Sequence, residues 1–210
     1  MNENPSYQIY GNLPAFLENR GLAPLAPQDL EKKRDRFIGE LTEIGYFRVD
    51  ARDPATADET VVFILAMGGD FSNSAPQLKK LLFGLENEER AGPLAEVILF
   101  VEEAALSKKN IVAVLADYRS EKRRYYSMYS YALLALNIPK VQCIPRHTVL
   151  TPEEKKALLD TSRIGVADLP FITSTDPPVV WEGARVGDVV RVDAPSETAG
   201  TAVRYYLVRR

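Results

Sequence analysis

Cys143 and His147 are the single cysteine and the single histidine of this 210-residue chain, four positions apart. On a helix that spacing would bring thiol and imidazole together as a dyad or as two metal ligands. Pro145 lies between them and argues for extended backbone. In a strand, four residues span ~13 Å, too far for proton transfer or shared ligation. A zinc site would want four ligands, and the chain has no further Cys or His. The dyad fails. One cysteine also excludes an intrachain disulfide, which favours a reducing compartment.

Other chemistry fares no better. Glu102-Glu103 and Glu153-Glu154 are adjacent carboxylates. Neighbours on a helix point about 100° apart, so they read as solvated helix turns and not as an acid/base pair. Met67-Gly68-Gly69-Asp70 lacks the Gly-Lys-Ser/Thr ending of a phosphate loop and reads as a plain turn. No dinucleotide fingerprint and no nucleophile elbow occurs. The expectation is a chain without catalytic residues, metal or cofactor.

Two basic clusters remain, Lys32-Lys33-Arg34-Arg36 and Lys122-Arg123-Arg124, the second running into Tyr125 and Tyr126. Basic residues beside aromatics suit nucleic acid, although most such runs are solvated faces. With a net charge of -3, any DNA contact must come from such a local patch. The first residues lack a signal-peptide pattern, and the longest apolar runs, such as Val61 to Met67, are too short to cross a bilayer. A soluble intracellular protein that leaves membranes alone is expected.

The elements that position these residues follow from periodicity. Residues 7–20 read as a helix with Tyr7, Tyr10, Leu13 and Leu17 on one face. A second helix from Gln28 carries Leu30, Phe37, Ile38, Leu41 and Ile44 and stops at Gly45. Tyr46–Val49, Val61–Ala66 and Val97–Val101 read as strands. Helices open near Ser74 (Leu78, Leu81, Leu82 and Leu85 inward) and at Ser107 (Ile111, Val112, Val114, Leu115 and Tyr118 inward). Tyr125 to Leu136 is helix or strand by pattern alone. The alternation predicts an α/β domain with a mainly parallel sheet and flanking helices over residues 1–137.

Beyond Asn137 the texture changes: prolines punctuate short segments, and one clear helix remains, capped by Thr151 with Pro152 first. Glu153 and Glu154 in its first turn favour the positive end of the helix dipole. Val186–Val192 and Val203–Val208 read as paired strands. Residues 138–210 form a second, small mixed α/β domain. Trp181, the one tryptophan, reads as core ahead of interface anchor.

The ordered residues of this second block carry a resemblance. Ile144-Pro145-Arg146-His147 is followed by Leu150-Thr151-Pro152-Glu153-Glu154-Lys155, Leu169-Pro170, Asp176-Pro177 and Gly187-Asp188-Val189-Val190-Arg191-Val192. Pro195-Ser196-Glu197-Thr198-Ala199-Gly200 and Tyr205-Tyr206-Leu207-Val208 close the series. The set resembles the assembly domain of the fifth subunit common to eukaryotic RNA polymerases, a domain that makes up nearly the whole of its archaeal counterpart. The remainder resembles that family's N-terminal jaw domain in length, position and α/β alternation.

The resemblance implies a non-catalytic subunit of a DNA-directed RNA polymerase. Its C-terminal domain would dock on the C-terminal part of the largest subunit, among other polymerase subunits. Its jaw would lie near downstream duplex DNA, binding it weakly and non-specifically. Pro145, His147, Ser196, Glu197, Thr198 and Gly200 become the partner-binding candidates, and Lys122, Arg123 and Arg124 the DNA-proximal ones. Asp193 departs from the family, where a neutral or basic residue is expected. A drifted jaw beside an intact assembly domain suits a large DNA virus and equally a divergent protist. The location would be the nucleus in a cell, or the virion and infected cell for a virus. Competing readings are a binding module of a chaperone or regulatory complex and, third, a degenerate nuclease-like fold.

Overall fold

The computed structural model describes residues 5–25, 34–52, 60–66, 74–87, 94–122, 125–198 and 200–210. The chain divides into two compact units, Met1–Leu136 and Asn137–Arg210.

The first unit runs α1 (Pro5–Asn19), β1 (Ala23–Pro24), α2 (Arg34–Glu43), β2 (Phe47–Arg52), β3 (Thr60–Leu65), α3 (Ala75–Asn87) and β4 (Leu94–Val101). Then follow α4 (Glu103–Leu106), α5 (Lys109–Lys122), β5 (Tyr125–Ser130) and a 3-10 turn, Tyr131–Leu134. The strands stand in chain order. The parallel pairing that the alternation predicts holds across β3, β4 and β5. β1 and β2 extend the sheet antiparallel, since residues 53–59 are too few to carry a crossover between β2 and β3.

Alternation along the strands gives the sheet two apolar faces. Phe47, Leu65, Phe100 and Tyr129 share one register row, and Phe47 and Phe100 of that row meet aromatic rings of α1 and α2. Phe16 stands edge-on to Phe100 at 5.5 Å between ring centres. Tyr10 lies 4.8 Å from Phe37 and 5.8 Å from Phe47. On the other face Val62, Ile64, Val97, Leu99 and Tyr126 pack with Leu78, Leu82 and Leu85 of α3 and with Ile111, Leu115 and Tyr118 of α5. Each such burial contributes ~1.5–3 kcal/mol. The Tyr118 hydroxyl donates to the Lys79 carbonyl at 3.3 Å and ties α5 to α3.

Some expectations shift. Ile44, read at the apolar spacing of the second helix, and Val112, read as inward, are 51% and 46% exposed. Ile44 lies past the end of α2, before Gly45 at φ 81. Val112 is rotated about 100° from the buried Ile111. The ambiguous Tyr125–Leu136 run resolves into β5 and the 3-10 turn. The start of the helix expected from Gln28 and the turn at Met67–Asp70 lie outside the described residues.

The second unit holds β6 (Arg146–Val149), α6 (Pro152–Ser162), β7 (Phe171–Thr173), α7 (Pro177–Trp181), β8 (Val189–Ser196) and β9 (Gly200–Arg209), with 3-10 turns at Ile138–Lys140 and Val166–Asp168. Strand order is β6-β8-β9-β7. β8 is antiparallel to β6 and β9, and β7 is parallel to β9. One face packs Val190, Val192 and Val208 against Val179 of α7 and Ala184. The other packs Val189 and Leu207 against Leu169, with Leu158 and Leu159 of α6 alongside. α7, opened by Pro177-Pro178, is a helix the periodicity did not show, too short at five residues to display a repeat. It carries Trp181, which is fully buried.

Candidate partner interface

The signature residues occupy two places on the second sheet. Ser196 pairs with Gly200 at the end of the β8–β9 ladder, and Glu197 and Thr198 follow Ser196 in a turn. Gly200 has φ 71, a left-handed conformation that a side chain would disfavour. Ser196 Oγ and Thr198 Oγ1 lie 3.4 Å apart, and Glu197 and Thr198 are exposed. Ala199 is outside the described residues. β6 covers β8 only as far as Asp193, and β7 covers β9 only from Leu207 onward. Among the described residues the hairpin therefore projects as a two-stranded arm with Ser196, Glu197, Thr198 and Gly200 at its tip.

Pro145 leads into β6, where His147 stands opposite Val192. Four residues of β8 separate that position from Ser196, ~13 Å along a strand. The structure thus places Pro145 and His147 beside the arm's root and not with the tip. The His147 ring is half-buried, and its Nδ1 lies 2.7 Å from the Pro145 carbonyl, a contact that requires a proton on Nδ1. His147 also acts on Asp176, the residue that precedes α7: burial pushes the Asp176 carboxyl above its ordinary range, and the nearby His147 charge pulls it partly back. Sequence reasoning did not single out Asp176 as a site residue. Its signal was the Asp176-Pro177 step, an extended residue feeding a helix-opening proline.

Asp193, where the resemblance leads us to expect a neutral or basic residue, accepts a hydrogen bond from Arg191 Nε at 2.8 Å. The two stand two apart in β8 and so on one face. Asp193 and Tyr205 raise the Arg191 pKa, through that hydrogen bond first and then through charge.

Cys143 is exposed and lies in a turn closed by the Ile144 N–H on the Val141 carbonyl at 3.0 Å. The extended backbone expected from Cys143 begins only at Arg146, because this turn intervenes. Among the described residues no three His, Cys, Asp or Glu gather into a metal site. No helix among them is long and apolar enough to cross a membrane. Lys122 ends α5, whereas Arg123, Arg124, Lys32 and Lys33 are outside the described residues.

These features define a two-unit α/β protein whose signature residues stand on an exposed arm and a sheet edge, a surface suited to contact with another chain. Residues 136–208 match the family model for the C-terminal domain of RNA polymerase Rpb5. The DNA-directed RNA polymerase RPB5 homolog of African swine fever virus (isolate Pig/Kenya/KEN-50/1950) is 36% identical over 170 residues, 80% of this chain and 82% of the relative. Subunit rpabc1 of RNA polymerases I, II and III of Dictyostelium discoideum is 38% identical over 93 residues, 44% of this chain and 47% of the relative. Subunit Rpo5 of Pyrococcus abyssi is 44% identical over 72 residues, 34% of this chain and 88% of the relative. The chain belongs to the Rpb5 family. The viral alignment is longer than the C-terminal unit and so takes in much of the N-terminal unit as well.

Proposed function

We propose that the chain is a non-catalytic subunit of a multisubunit DNA-directed RNA polymerase, with catalysis residing in the two largest subunits. The observation that carries this reading is the match of residues 136–208 to the Rpb5 C-terminal domain, with its Ser196–Gly200 signature at the tip of a projecting hairpin. An exposed polar loop on a rigid ladder is suited to bonding a partner's backbone. In this reading the second unit docks on the largest subunit through Ser196, Glu197, Thr198 and Gly200. Pro145 and His147 shape the neighbouring edge. The first unit acts as a jaw near downstream DNA, with Lys122, Arg123 and Arg124 meeting phosphates weakly and without sequence preference. The protein then resides where its polymerase does: the virion and infected cell for a virus, a reading the African swine fever virus relative supports, or the nucleus for a cell.

A pull-down of tagged full-length chain against one truncated after Asn137 tests this. Recovery of the two largest polymerase subunits by the full chain alone is expected. Failure of the folded full chain to recover them would leave the polymerase role without support.

A further inference from the structure

The backbone of the projecting arm treats its two edges differently. Antiparallel ladders alternate between hydrogen-bonded and non-bonded pairs. The Val208 N–H donates to the Asp188 carbonyl at 2.9 Å, so β9's even-numbered residues bond β8 and its odd-numbered ones face outward. The Leu207 N–H obeys that rule, donating outward to the Pro170 carbonyl at 2.8 Å. Further along the same edge, Thr201, Val203 and Tyr205 turn their N–H and carbonyl groups outward, and no strand of the described residues pairs there. On the opposite edge, past the end of β6, the outward position on β8 is Pro195. Proline has no N–H to offer, which blunts an edge against pairing. One edge is closed and the other is left open.

We propose that the open edge of β9, Thr201 to Tyr205, receives an extended, acidic segment of the largest polymerase subunit as an added strand. This rests on the docking role proposed above and specifies how it is achieved. Main-chain donors and acceptors supply the attachment. Val203, 42% exposed, presents an apolar side chain to the added strand. Charge selects the occupant: the open stretch Thr201–Tyr205 carries Arg204 and no acid. A second copy pairing antiparallel about Val203 would make the two Arg204 side chains diagonal neighbours on one face, an unfavourable placement of like charges. A segment bearing Asp or Glu meets Arg204 favourably.

Val203→Pro isolates this edge. Val203 and Asp193 form a non-bonded pair in the β8–β9 ladder, so proline at 203 removes an outward donor while sparing the ladder. Full-length chain co-expressed with the largest subunit of its own polymerase should bind about tenfold or more weakly as Val203→Pro. Val203→Ala, which keeps the N–H, should bind nearly as wild type, and both variants should melt close to wild type. Amide exchange in the wild-type complex, which needs no variant, should slow at Thr201, Val203 and Tyr205. Undiminished binding by Val203→Pro, or unchanged exchange at these amides, overturns the added strand. A concentration-dependent dimer abolished by Val203→Pro would overturn the choice of occupant. Wild-type chain that fails to bind the largest subunit at all defeats the docking role itself, a distinct result.

Discussion

Thr151 and Glu154 each hold the other's backbone: the Glu154 N–H donates to Thr151 Oγ1 at 3.2 Å, and the Thr151 N–H donates to Glu154 Oε2 at 2.8 Å. The reciprocal pair satisfies two donors where α6 begins. It fixes the helix that covers Val189 and Leu207, the root of the arm. Replacing Thr151 with Ala should destabilise the second unit by ~1 kcal/mol, read as a lower urea midpoint at unchanged slope. An unaltered midpoint would mean that α6 is held by packing alone.

Trp181 is fully buried, and Trp181→Ala should cost about 3–5 kcal/mol. As the one tryptophan, it reports its own surroundings. Its emission should be blue-shifted in the free protein and indifferent to polymerase binding, whereas a shift on binding would make it an interface residue.

The Asp176 carboxyl has its pKa raised by burial, with His147 opposing. The folded protein therefore keeps this proton to higher pH than the unfolded chain does. Its contribution to stability is complete below the ordinary aspartate range and is lost as pH rises through the raised value. Asp176→Asn should remove that decline, so denaturation midpoints across the acid range should fall less steeply with pH than in wild type. His147→Gln should push the Asp176 titration, followed by carboxyl carbon NMR, further up. Superimposable pH profiles would dismiss the pairing.

Glu197 and Thr198 are exposed at the arm's tip. The double variant Glu197→Ala/Thr198→Ala should leave folding stability within about 0.5 kcal/mol while weakening association with the largest subunit. Undiminished association would confine this loop to closing the hairpin.

Lys122, Arg123 and Arg124 are the candidate phosphate contacts. Replacing all three with Gln should weaken duplex binding, measured by fluorescence anisotropy, regardless of sequence. The salt slope should flatten by about 2–3. A slope equal to wild type would move the DNA contact elsewhere on the chain.

Much of this architecture is local and was therefore legible. Leu78, Leu82 and Leu85 recur at helical spacing and are buried as expected. Thr151-Pro152-Glu153-Glu154 announces a capped helix, and it is one. The ordered prolines, glycines and signature loop of residues 138–210 pointed to the family to which the chain belongs. Each of these signals resides in a few neighbouring residues, or in fixed spacing along the chain, and needs no knowledge of the fold.

Other features exist only between segments distant in sequence. That Asp193 would stand opposite Arg146 at the end of β6, that Asp176 would sit within reach of His147, and that Pro195 would close one edge while Val203 stood on the open one all follow from strand order and register. Periodicity tells which side of a strand is apolar. It does not tell which strand lies next to it, because long-range packing against α6 and α7 sets that choice.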